Sequence, residues 1–144
     1  MSEVTHRGSC NCGAVRFEIE GELGPFGFCH CRTCRKASGT AFTANASVKR
    51  EKVRFLGGED AIRRYESSPG VFRCFCGTCG SPIYKEQPEL PGVIRIRLGT
   101  LDTDVGAKPL AHAFWGEKAD WYDLKGEMPV YETWASELSS KVKE

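Results

Sequence analysis

The chain of 144 residues holds no run of about 18 apolar residues, the least that crosses a bilayer as a helix, so no membrane span is expected. Its opening, Met1-Ser2-Glu3-Val4-Thr5-His6-Arg7-Gly8, lacks the apolar stretch of a secretory signal, which makes a reducing cytoplasm the expected compartment. An excess of one charge is lacking as well. Lys and Arg number 20 against 19 Asp and Glu, a formal balance of +1. A general nucleic-acid binder carries a strong basic surplus, so no nucleic-acid partner is expected. Low-complexity tracts and linkers are absent, which leaves a single domain as the expectation. At this length it buries roughly 68–70% of the surface its unfolded chain exposes. Stray cysteines are absent too, since all eight fall in three clusters.

The central cluster is Cys29-His30-Cys31-Arg32-Thr33-Cys34. Upstream lies Cys10-Asn11-Cys12, and downstream Cys74-Phe75-Cys76-Gly77-Thr78-Cys79. Thiols bunched this closely, in a chain without a secretory signal, read as zinc ligands rather than disulfide partners. Zinc takes four ligands in a tetrahedron, with thiolate sulfur at roughly 2.3 Å. The turn from Cys76 to Cys79 brings two sulfurs to one ion, with Gly77 and Gly80 permitting the tight backbone. Cys10 and Cys12, two residues apart, put both thiols on one face if the segment is a strand. The two pairs together make a closed four-thiolate set of the structural kind. Cys29, Cys31 and Cys34 then remain, and three protein ligands with an open position are the pattern of a catalytic zinc. Spacing leaves this division open. His30, His112, His6 or Cys74 can close the trio with a fourth ligand. Cys10 and Cys12 can instead pair with two of the first triplet and leave the second triplet open.

Alternation and chain breakers place strands at 13–20, 26–31, 41–48, 53–56, 61–66, 71–75, 81–84, 93–98 and 110–115. The third cysteine cluster is then the tip of a hairpin. Residues 1–8 read as polar and frayed. Residues 32–38 read as one or two helical turns ended by Gly39. The tail from 132 to 144 is compatible with a helix but shows little apolar face. Arg95 and Arg97 fall on what reads as the wet face of their strand. Many short strands at spacings of roughly 8–12 residues indicate a mainly-β domain.

Three segments carry a family resemblance. They are Gly8-Ser9-Cys10-Asn11-Cys12-Gly13, the run from Cys29 to Gly39 (CHCRTCRKASG), and Arg73-Cys74-Phe75-Cys76-Gly77-Thr78-Cys79-Gly80. In order, spacing and flanking glycines they resemble the glutathione-dependent formaldehyde-activating enzyme family, whose domain is shared with centromere protein V. Leu110-Ala111-His112-Ala113-Phe114-Trp115 and Trp121 fit as well. The resemblance covers roughly residues 8–134, with 135–144 as a tail. It implies an Mss4-like fold, short coiled β-sheets with zinc-bearing hairpins, shared with small exchange-factor-like proteins. It implies two zinc ions per chain, one structural on Cys10, Cys12, Cys76 and Cys79, and one catalytic on Cys29, Cys31 and Cys34. It implies a carbon–sulfur lyase of the S-(hydroxymethyl)glutathione synthase type, which joins formaldehyde to glutathione. The expected partners are therefore a small thiol such as glutathione and a small aldehyde. Two rival readings remain: a non-enzymatic, zinc-stabilised module that binds a protein, and an enzyme using another thiol or aldehyde.

Other residues have plainer readings. Cys74 is additional to the motif and reads as a buried, inert thiol. His30, between two ligands, reads as packed or hydrogen-bonded behind them. Arg32, Arg35 and Lys36 are either a grip for substrate carboxylates or a solvated basic face. Phe42, Phe114, Trp115 and Trp121 read as core rather than as the wall of a pocket.

Overall fold

Phe17 and Ile19 alternate with charged residues along β2 (Arg16–Glu20), and both are fully buried. The computed structural model describes residues 3–123, 126 and 128–136. The chain forms two compact units. One joins the residues up to Leu23 with Ser47–Gly106, and the other joins Gly24–Ala46 with the residues from Ala107 onward.

In the first unit β2 lies between β1 (Val4–Ser9) and β5 (Val53–Gly57), antiparallel to both. The segment expected to fray is thus a strand. Its polar side chains hide the reason, which is pairing. Arg7, Gly8 and Ser9 sit opposite Glu18, Phe17 and Arg16. Beyond β1, Asp102 N donates to Arg7 O at 2.7 Å, and Ser9 Oγ donates to Asp102 Oδ2 at 2.7 Å. Next in the chain come β6 (Ile62–Ser68), β7 (Val71–Cys76), β8 (Pro82–Glu86) and β9 (Val93–Arg97), in which β7 pairs antiparallel with β6, β8 with β7 and β9 with β8. Val15, Phe17, Ile19, Val53, Ile83, Tyr84, Ile94 and Ile96 pack into one core with Cys74 and Cys76. Each large side chain buried there is worth about 1.5–3 kcal/mol.

The register of β6–β9 sorts their side chains into rows. Arg64, Cys74, Tyr84 and Ile96 share a level, as do Glu66, Phe72, Glu86 and Ile94. Both rows belong to the core face. The level between them, Tyr65, Arg73, Lys85 and Arg95, belongs to the other face. The expectation of a wet face for Arg95 and Arg97 fails. Arg97 and Lys85 are buried and Arg95 is half-buried. Alternation separates the two faces of a strand, and here both are covered.

In the second unit β3 (Phe26–Cys29) pairs antiparallel with β4 (Thr43–Lys49) and parallel with β10 (His112–Ala113). Parallel and antiparallel pairs together make the sheet mixed, and the mainly-β expectation holds. The helix α1 (Arg32–Ser38) follows β3 and ends at Gly39, whose φ of 68° permits its N–H to bond Arg35 O at 2.7 Å. Of the strand expected at 110–115, β10 keeps two residues, and Trp115–Glu117 turn instead as a 3-10 helix. The tail read as helix-compatible lies outside the described residues from 137 on. Among the described residues no helix is long and apolar enough to cross a membrane.

Candidate metal centres

The β1–β2 connection and the β7–β8 connection are built alike. In each, a cysteine carbonyl accepts from the N–H of a glycine just after the cluster: Gly13 N to Cys10 O at 3.0 Å and Gly80 N to Cys76 O at 2.8 Å. Both glycines have φ near the left-handed region's centre, 81° and 80°. A strand at Cys10–Cys12 would put both thiols on one face. Cys10 and Cys12 lie instead at the β1–β2 turn, and the tight backbone, not strand alternation, aims both sulfurs the same way.

Cys10, Cys12, Cys76 and Cys79 come together, their sulfurs all within 4.8 Å of one another. Cys10 Sγ lies 3.5 Å from Cys12 Sγ, and Cys12 Sγ lies 3.9 Å from Cys76 Sγ. An ion with sulfur at roughly 2.3 Å at each corner of a tetrahedron needs edges of about 3.8 Å. The donor set therefore fits a tetrahedral, thiophilic ion. Backbone N–H groups face the sulfurs of Cys10 and Cys76. Val15 N donates to Cys10 Sγ at 3.3 Å and Thr78 N donates to Cys76 Sγ at 3.4 Å. The Ser81 hydroxyl, 3.2 Å from Cys79 Sγ, and the Ser81 backbone bring the Cys79 thiol down to about 5.

Cys29, Cys31 and Cys34 form the second group, again with sulfurs within 4.8 Å of one another. Cys29 ends β3, Cys31 is the N-cap of α1, and Cys34 lies in its first turn. Cys34 N donates to Cys31 Sγ at 3.3 Å, the capping bond of this helix. The sulfurs of Cys31 and Cys34 crowd Cys29, and with burial they push its thiol far above the ordinary range. Three such thiols cannot all ionise unless a cation sits among them, so this set fits a metal as well. Among the described residues the group comprises these three ligands alone.

The other sequence candidates stand apart from both groups. His6 bonds Thr103 Oγ1 through Nδ1 at 3.1 Å. Cys74 is buried in the core opposite Tyr84. His30 and His112 bond each other, Nε2 to Nδ1 at 2.7 Å, and neither is exposed at all. Phe42, Trp115 and Tyr122 ring His30 at centroid distances of 5.2, 5.0 and 5.5 Å. Burial, then the nearby His112, Lys118 and Arg35, brings His30 down to about 4, so it is neutral at pH 7. The bond to His112 was not legible in the sequence, where His112 was only one of several possible ligands. Its signal is the parallel pairing of β10 with β3, a long-range contact. Arg32 and Lys36 are exposed, while Arg35 is half-buried with its Nε sequestered and without a hydrogen-bond partner. Trp121 was expected in the core but is 70% exposed. The turn at 119–122 directs the next residue, Tyr122, toward His30 instead.

Fold and donor sets define a mainly-β protein with two cysteine groups able to chelate a metal. The comparisons narrow this further. The sequence model of the glutathione-dependent formaldehyde-activating enzyme family matches residues 5–117, and the chain belongs to that family. A protein of Halomonas elongata, provisionally named a glutathione-dependent formaldehyde-activating enzyme, is 32% identical over 126 residues, which cover 82% of this chain and 80% of the relative. An uncharacterised lyase of Schizosaccharomyces pombe is 29% identical over 79 residues, 55% of this chain and 56% of that protein. The crystal structure of a Rhodobacter sphaeroides protein shares the fold, with a TM-score of 0.60 at 22% identity, covering 87% of this chain and 99% of that one.

Proposed function

We propose that the chain is a zinc-dependent carbon–sulfur lyase of the S-(hydroxymethyl)glutathione synthase type, built on the Mss4-like fold and acting in the cytoplasm. In this reading Cys10, Cys12, Cys76 and Cys79 hold a structural zinc, and Cys29, Cys31 and Cys34 hold a catalytic one. The observation that carries it is the trio: three cysteine sulfurs converge with no fourth ligand among the described residues. Bound there, zinc supplies an open Lewis-acidic position that favours thiolate over thiol at neutral pH. The Cys34 N–H keeps Cys31 Sγ oriented. His30, sealed by Phe42, Trp115, Tyr122 and its bond to His112, fixes the backbone between Cys29 and Cys31. The reaction needs no oxidant. A carbon–sulfur bond forms as the carbonyl π bond of formaldehyde opens, and the proton lost by the thiol is balanced by one gained at oxygen. Holding both reactants together supplies much of the rate gain.

Metal per chain, measured on wild type and on Cys31→Ser, tests the division of sulfurs. Two ions falling to one, with an unchanged far-UV spectrum, is expected. Glutathione-dependent formaldehyde consumption by the wild type, abolished in Cys31→Ser, tests the activity. A folded wild type holding both ions and consuming no formaldehyde would leave the non-enzymatic zinc module as the better reading.

A further inference from the structure

Residues 23–50, which hold the cysteine trio and the helix that places it, contain no Asp or Glu. The helix itself carries three cations, Arg32, Arg35 and Lys36, and Lys118 stands just after the 3-10 turn Trp115–Glu117. Three of the four have plain settings. Arg32 and Lys36 are exposed, and Lys118 Nζ lies 5.5 Å over the Trp115 ring. Glu117 reaches the helix, but its Oε1 accepts from the backbone N–H of Arg32 at 3.0 Å.

Arg35 differs from these three. It is half-buried, and its Nε is sequestered with no hydrogen-bond partner. Among the described residues it has no carboxylate partner either. A sequestered donor left unpaired is uncommon in a folded protein and calls for a reason. Its place in the helix suggests one. Arg35 directly follows Cys34 and stands one turn beyond Cys31, its N–H bonded to Cys31 O at 2.9 Å. Residues four apart share a helix face, and helical side chains lean back toward the N-terminal end. The guanidinium is thus carried toward the trio. It lies within electrostatic reach of His30, between Cys29 and Cys31, as does Lys118.

We propose that Arg35 determines thiol specificity by binding a carboxylate of an acidic thiol whose sulfur comes to the trio Cys29, Cys31 and Cys34. This deepens the proposed function and rests on it. An arginine fork takes both oxygens of a carboxylate, and partial burial strengthens the pairing by lowering the effective dielectric. A neutral thiol gains nothing from the contact. An arginine that only balances the charge of the sulfurs would hold metal and leave thiol choice untouched, so metal content and thiol choice separate the two roles.

Calorimetric titration of the zinc-loaded chain with S-methylglutathione reads the contact without turnover, since that compound keeps both carboxylates and has no thiol. Saturable binding is expected, weakened about tenfold or more in Arg35→Gln with zinc per chain unchanged. Arg35→Lys keeps the charge and loses the fork, so it should weaken binding about threefold or more, and it stands in if the glutamine variant misfolds. Lys36→Gln removes the same charge from an exposed position of the same helix and should bind as wild type does. In turnover, Arg35→Gln should raise KM for glutathione about tenfold and leave KM for 2-mercaptoethanol unchanged. The proposal is overturned if S-methylglutathione fails to bind wild type, if Lys36→Gln weakens binding as much as Arg35→Gln, or if Arg35→Gln loses zinc. Unchanged affinity in both Arg35 variants overturns it too. Arg35-dependent binding by a protein that consumes no formaldehyde sinks the proposed function and leaves the carboxylate contact standing.

Discussion

Gly58 is the position where a single methyl group should loosen a cysteine cluster it never touches. It leads from β5 into the 3-10 turn Glu59–Ala61 with φ 77° and ψ 9°. A Cβ there would fall inside contact distance of Ala14 O, 2.5 Å from Ala14 C and 2.8 Å from Val15 Cα. All three are backbone atoms, so no rotamer change relieves the collision. Left-handed φ costs alanine about 1 kcal/mol. Restoring ordinary separation requires the Ala14 carbonyl to retreat by about 1 Å or more, with overpacking strain of roughly 1–3 kcal/mol. The sum is about 2–4 kcal/mol. Unfolding entropy near 2.1 cal/mol/K per residue gives roughly 0.3 kcal/mol/K for this length, so the melting midpoint of Gly58→Ala should fall by about 7–13 °C. The displaced segment also holds Cys10, through Cys10 N to Val15 O at 3.0 Å and Val15 N to Cys10 Sγ at 3.3 Å. Losing one such bond, about 1–1.5 kcal/mol, lowers metal affinity about tenfold. Thermal melts and chelator competition read the two effects separately. A variant melting within about 1 °C of wild type would show the Ala14 turn to be slack. A lowered midpoint with unchanged chelator resistance would show that the Val15 bond does not hold the cluster.

Gly8→Ala should cost about 1–3 kcal/mol in urea unfolding, because its Cβ would meet the edge of the buried Phe17 ring, 2.7 Å from Cε2 and 2.8 Å from Cε1. His112→Ala should cost about 2–4 kcal/mol, since it opens a cavity and leaves both ring nitrogens of the buried His30 without a partner. Thermal melts at one fixed metal load check that value. Burial, helped by Cys74, raises the Tyr84 phenol above its usual 10, so the folded state keeps that proton longer than the unfolded chain does. Its contribution is full below pH 10 and is lost as pH rises toward the folded value, so Tyr84→Phe should flatten the alkaline loss of stability measured from about pH 9 to about pH 11.

Local signals in the sequence suffice where local physics decides. The helix at 32–38 was legible because Gly39 supplies the left-handed residue that ends it. The hairpin carrying the third cluster was legible from the turn residues between two alternating runs. What pairing decides was not. Val4–Ser9 has little apolar content of its own and becomes a strand because β2 offers it an edge. Cys10 and Cys12 converge through a glycine-assisted turn that their spacing alone did not distinguish from a strand. In β9, alternation told Arg95 and Arg97 apart from Ile94 and Ile96 but could not say that the second face is covered as well. The bond between His30 and His112 spans 82 residues and follows from the parallel entry of β10 beside β3.

How the chain gathers each set of sulfurs sets the order in which metal should leave. Cys29, Cys31 and Cys34 lie within six residues, and the start of one helix places them. That placement has its own supports: Phe28 N to Ala111 O and His30 N to Ala113 O, each at 2.9 Å, and the cap at Cys31. Nothing in them requires an ion. Cys12 and Cys76 are 64 residues apart, and holding them 3.9 Å sulfur to sulfur closes a long loop against chain entropy. Metal bound there offsets that entropy and becomes part of the folding free energy. Titration with a chelator should therefore proceed in two stages. The first ion leaves from the trio with no change in far-UV circular dichroism or melting midpoint. The second leaves from the four-sulfur group with a fall in midpoint and faster amide exchange at the β1–β2 and β7–β8 turns. Release of both ions in one stage, with the structure lost at once, would mean that the trio is as integral to the fold as the four-sulfur group.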